Sequence, residues 1–99
     1  MTQADKQAES IEYVPTESRF SVYTNRVEIT ISTWDVRFKI MEILEKDGDT
    51  LRIKKHGDVV MAPLHAKALA RALESTIKQY EEKFGEIDLA KHDNLVVPA

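Results

Sequence analysis

From Pro63 to Phe84 the apolar residues recur at steps of three and four: Leu64, Ala68, Leu69, Ala72, Leu73, Ile77, Tyr80 and Phe84. That is the helical period, and it predicts one long amphipathic helix with Thr76 at the edge of its stripe. Lys67, Arg71, Glu74, Lys78, Glu81 and Glu82 fall mainly on the other faces. Glu74 and Lys78 stand four apart in the favourable order for an ion pair on a helix. Pro63 suits the first helical position, where its missing N–H would have had no partner anyway. Gly85 suits the position just past the end, where a left-handed backbone stops a helix cheaply.

Before the helix the period changes to two. Val27, Ile29 and Ile31 alternate with Arg26, Glu28, Thr30 and Ser32, which predicts a half-buried strand. A tight connection near Thr33 leads to a second alternation, with Trp34, Val36, Phe38 and Ile40 on one face and Asp35, Arg37 and Lys39 on the other. Then the pattern breaks. Met41 and Ile43 put apolar groups on the polar face, while Leu44 continues the first. A strand apolar on both faces needs cover on both, so Met41 and Ile43 are candidate oligomer contacts. Asp47-Gly48 is a hairpin signal. Leu51, Ile53, Val59 and Met61 then share one parity in a third strand, which Gly57 interrupts as a bulge or bend.

The fold class expected is therefore α+β: an antiparallel meander of three strands, or four if Ile11–Val14 adds one, followed by a long helix packed on one face. Residues 1–18 are polar and read as a flexible tail, residues 19–87 as the domain, and residues 88–99 as a C-terminal tail. Trp34, Phe38, Leu69, Leu73, Ile77 and Tyr80 are the expected core. Three strands and one helix leave a sheet face over, and area accounting at this size comes out near zero. A homodimer or higher assembly would supply the missing burial.

Composition narrows the function. The chain has 99 residues and a formal net charge of −3, which disfavours nucleic acid and anionic membranes as partners. It has no cysteine, which excludes disulfide scaffolds, thiolate zinc sites and thiol catalysis. The first residues carry no apolar signal core and no run approaches membrane-span length, so a soluble, cytoplasmic protein is the expectation.

Candidate chemistry is sparse. If Pro63 is the first helical residue, Ala62 is a cap without a capping side chain, and His65, Lys67 and Arg71 stand in the first turns. Such a cluster could hold an anion, a phosphate or a partner's carboxylate, although a solvated helix face is the commoner explanation of such a charge run. Arg52, Lys54, Lys55 and His56 make a basic run on the third strand. A β-ribbon reader of nucleic acid could use it, but no aromatic residue is interleaved for stacking, and charged guards on a strand edge explain it better. His56, His65 and His92 form no metal-binding spacing. Asp35 reads as a turn cap, and there is no nucleophile elbow and no glycine-rich phosphate loop. The expectation is no enzyme, no metal and no cofactor.

Several fragments together resemble a known family. They are Tyr23-Thr24-Asn25, Ser32-Thr33-Trp34-Asp35, Met61-Ala62-Pro63 with His65-Ala66-Lys67, and Tyr80 to Ile87. In this order they are similar to small bacterial and archaeal proteins known only as a domain of unknown function, over roughly residues 20–87. The resemblance implies a compact single-domain protein and supplies no activity. Val36 departs from it, standing where an aromatic would be expected. A meander followed by a long helix also looks, at fold level alone, like the SecB type of export chaperone. The expected function is a non-enzymatic homo-oligomeric interaction or structural module whose partner is a copy of itself. A SecB-like polypeptide- or partner-binding accessory is the alternative, and an anion or nucleic-acid binder a further one.

Overall fold

The computed structural model describes residues 9–90 and the backbone of residues 96–98. Strands β1 (Arg26–Ile31), β2 (Val36–Asp47) and β3 (Thr50–Met61) precede helix α1 (Pro63–Phe84), and β4 (Val96–Pro98) follows it. The sheet order is β3-β2-β1-β4. β2 pairs antiparallel with both β1 and β3, and β4 lies parallel to β1. The class is α+β, with the three-stranded meander and the following helix as the periodicities predict. The fourth strand comes from beyond α1. Ile11–Val14 forms no strand and is exposed.

Two turns fix the register. Ile31 pairs with Val36, so the first hairpin closes through the four residues 32–35. The Ser32 N–H donates to the Asp35 carbonyl at 2.9 Å, and the Ser32 Oγ accepts the N–H groups of Trp34 and Asp35, both at 3.1 Å. Ser32 Oγ also donates to Asp35 Oδ1 at 3.2 Å. Serine hydroxyls close turns in this way by substituting for backbone partners. In the second hairpin Asp47 pairs with Thr50, so Gly48 and Asp49 are the loop. Gly48 has φ 61° and Asp49 does not have positive φ. That is the arrangement with glycine first, which matches the right-handed twist of the flanking strands.

Irregularities in the β2–β3 ladder decide which side chains share a face. Val36 pairs with Met61, Phe38 with Val59 and Ile40 with Gly57, but Met41 then pairs with Lys55. His56 is the extra residue of a bulge, and a bulge exchanges the faces of the strand beyond it. Val59 and Met61 therefore lie with Phe38 and Val36, while Ile53 lies opposite Ile43 on the reverse face. The shared parity of these β3 residues in the sequence is split between two faces. A second irregularity puts Leu44 out of register between Ile43 and Glu45.

On the β1 side, Ile31, Ile29 and Val27 face Val36, Phe38 and Ile40. One sheet face is thus aliphatic and aromatic across all three long strands. The reverse face at this end carries Arg37, bonded to Asp58 at 2.8 Å, beside Val60, and becomes more apolar toward Met41 and Ile43.

The helix does not cover that sheet face. Ala66 and Glu81 are its half-exposed residues, the rest of α1 is exposed, and none is buried. Leu69, Leu73, Ile77 and Tyr80, expected in the core, are 42%, 56%, 39% and 49% exposed. Trp34 is 83% exposed, because the four-residue turn holds it at the hairpin tip rather than on β2. Phe38 is half-buried. Met41, at 4%, is the single buried apolar side chain among the described residues. The surface totals 9106 Å², against about 5,700 Å² for a compact monomer of this mass.

Thr24 and Asn25 extend the β1–β2 pairing past the last rung with side chains. Thr24 Oγ1 donates to the Met41 carbonyl at 2.6 Å. Asn25 Oδ1 accepts the Ile43 N–H at 2.6 Å, and Asn25 Nδ2 donates to the Ile43 carbonyl at 3.4 Å. An asparagine amide here stands in for a strand peptide. Asn25→Ala leaves the part-buried Ile43 peptide unpaired, and we expect urea unfolding at fixed protein concentration to show a loss of about 1–3 kcal/mol.

Candidate functional site

Two apolar surfaces of one chain remain open: the sheet face of β1, β2 and β3, and the stripe of α1. Each follows from local sequence. Alternation of β-branched residues builds the first; three-four spacing builds the second. Tyr80 and Phe84, one turn apart, pack their rings at 4.9 Å and extend the stripe to the C-terminal end of α1. Gly85 then donates its N–H to the Glu81 carbonyl at 2.9 Å, and Ile87 N–H donates to Glu81 Oε2 at 2.8 Å. These bonds end the helix without covering the rings.

The sheet face has a recess where Gly57 lacks a side chain. A cavity of about 260 Å³ lies there, lined by Ile40, Val59, His56, Asp58 and Gly57 from the sheet and by Phe20 and Val22 from the segment before β1. His56 Nε2 lies 3.0 Å from Glu42 Oε1 at this place. The bulge that displaces His56 lets its ring reach Glu42 instead of continuing the ladder. Neither the recess nor this pair is visible from spacing along the chain.

The candidate oligomer contacts divide. Met41 is covered within its own chain, between Arg26 and Lys55 across the two ladders. Its break in the alternation is the start of the apolar patch on the reverse face, where Ile43 and Ile53 are paired and half-buried. The long stems of Arg26 and Lys55 can cover a neighbouring methionine while their charged ends stay polar.

The candidate anion residues His65, Lys67 and Arg71 are all exposed. Ala62 caps the helix without a side-chain hydrogen bond, and no acidic residue lies in the first turn. Helical geometry places Lys67 and Arg71 on one face, one turn apart. His65, two residues before Lys67, falls on the far side of the helix, beside the apolar stripe. The three are not brought together.

The basic run on β3 is answered by acids on β2. Arg52 is hydrogen-bonded to Glu45, His56 meets Glu42, and Lys54 pairs in register with Glu42. A ribbon compensated in this way has little net positive field. Asp35 is held by Ser32 within the turn. Among the described residues no group of three His, Cys, Asp or Glu side chains could hold a metal ion, and His92 lies outside the described residues. No helix among them is long and apolar enough to cross a membrane.

Glu45→Lys places like charges across the β2–β3 ladder. We expect a loss of about 0.2–1 kcal/mol in urea unfolding, reversed by adding Arg52→Glu in the same chain.

Comparison with known proteins adds a family. The chain belongs to the family described as "Protein of unknown function (DUF3467)", whose model matches residues 1–89. No curated protein and no solved structure matches it.

Proposed function

We propose that this member of the DUF3467 family is a non-enzymatic, self-associating interaction module of the cytoplasm. The observation that carries the reading is the pairing of an open apolar sheet face with an open apolar helix stripe, with one buried apolar side chain among the described residues. Contiguous apolar surface of this extent marks an interaction site in a folded protein. A second copy is the partner always present at matching concentration.

The same surfaces favour one alternative, a SecB-like accessory that holds extended polypeptide against exposed apolar strands. The two readings part on whether the apolar surface stays open in the assembled protein. Strong binding of an apolar dye to the native protein supports the accessory; weak binding supports the closed module. An anion or nucleic-acid role draws less support, because Glu42 and Glu45 answer the β3 bases and His65 faces away from Lys67 and Arg71.

Sedimentation equilibrium at low micromolar concentration tests the module. We expect a dimer or larger assembly of the 11.3 kDa chain. Leu73→Glu, at the centre of the stripe, should raise the dissociation constant about tenfold or more. Lys78→Glu, on the opposite face, should leave it nearly unchanged. A stably folded monomer at all concentrations rejects the proposal.

A further inference from the structure

We infer that the apolar stripe of α1 in one copy seats on the apolar face of β1, β2 and β3 in a second copy, each supplying the other's missing layer. This rests on the self-association reading and specifies its geometry.

The sizes agree. From Leu69 to Phe84 the stripe is about 22 Å long at the helical rise. The sheet face runs about 13 Å along each strand, from Val36 to Ile40 on β2 and from Val27 to Ile31 on β1, which takes about two and a half turns of the stripe. Strand spacing across three strands gives a width of about 10 Å, close to the diameter of a helix. The chemistry also agrees. The three rungs of this face are Ile31, Val36 and Met61, then Ile29, Phe38 and Val59, then Val27, Ile40 and Gly57. No charged residue stands among them. At Gly57 the recess beside Ile40 and Val59 gives an outside side chain a place to enter.

The chain's own helix is poorly placed to be the occupant. One residue, Ala62, separates the last residue of β3 from the first of α1. Strand-to-helix connections that fold back over their own sheet are commonly about two to six residues long. Pro63 further restricts Ala62 to extended backbone, and it has φ −66° and ψ 150°. The helix is thus carried off the end of an edge strand with its stripe uncovered.

The area supports a copy rather than a passing ligand. The surface exceeds that of a compact monomer by on the order of 3,000 Å². Part of this surplus is the open segment before β1. A standard interface takes about 800 Å² from each partner, and obligate dimers take more. Reciprocal seating uses the helix and the sheet of both copies, so two such interfaces form per pair and the assembly closes.

The chain has no cysteine, so one introduced cysteine carries one spin label. Ala72→Cys and, separately, Ala70→Cys place the label at the two edges of the α1 stripe, and the second guards against a local fault in the first. Each labelled full-length chain is refolded together with an unlabelled chain carrying isotope-labelled isoleucine methyl groups. Ile29 and Ile40 report the apolar sheet face, Ile53 the reverse face and Ile77 the helix. We expect loss of the Ile29 and Ile40 signals, with Ile53 retained. Loss at Ile77 alone shows helix-on-helix association and overturns the inference. Loss at Ile29 and Ile40 only when label and isotope share a chain shows that the helix covers its own sheet, which also overturns it. A dimer in sedimentation with no methyl affected overturns it while leaving self-association intact. A folded monomer in sedimentation overturns both.

Discussion

The β2 strand holds this chain together, and it does so through backbone hydrogen bonds rather than through a core. All 12 of its residues lie between or beside other strands, with β1 on one side and β3 on the other. Such bonds are exchanged for bonds to water on unfolding, so each contributes modestly in net terms. Burial is the term that normally exceeds chain entropy, and here one apolar side chain is buried among the described residues. The ladder therefore sets the shape while leaving most of the apolar surface available to something else.

The bulge at His56 decides where that surface lies. Without it, Leu51, Ile53, Val59 and Met61 would line a single face, and Ile43 would have no apolar partner across the β2–β3 ladder. With it, the apolar set splits. Val59 and Met61 complete the face shared with β1, while Ile53 turns to meet Ile43 on the reverse. Met41, at the crossing point, is enclosed by the two ladders and their long flanking side chains. The same local device opens the recess at Gly57 and brings His56 to Glu42. One inserted residue thus accounts for the split of the β3 apolar set between two faces and for the notch in the apolar face.

The elements were legible in the sequence because each rests on short-range rules. The α1 bounds follow from Pro63, Gly85 and the three-four spacing, and the strands from their alternation. What was not legible depends on relations between elements. Trp34 looked like the first residue of β2 because its parity fits, but the Ser32 hydroxyl closes a longer turn that takes it out of the strand. Met41 looked like a contact for a partner because its parity sets it on the polar face of β2, whereas the two flanking strands already enclose it within its own chain. The fourth strand was sought at Ile11–Val14, whereas three residues at the other end of the chain pair with β1. Amphipathic periodicity says that a helix has a face to bury; it does not say in which copy the burying surface resides.

If the covering layer belongs to another copy, folding and association are one equilibrium. The free chain keeps its ladder but gains little from burial, so its stability must depend on protomer concentration. Such a chain also risks joining indefinitely through its strand edges. β3 is an outer strand of the sheet, and it carries Arg52, Lys54 and Lys55 along its length. Lysine and arginine on an edge oppose pairing with another strand. Apolar side chains on the face then attract a helix while charged side chains on the edge discourage a strand. This division of labour directs the chain toward a closed assembly, and it explains why a domain so poor in core places its bases on β3 and its aliphatic residues inward of them.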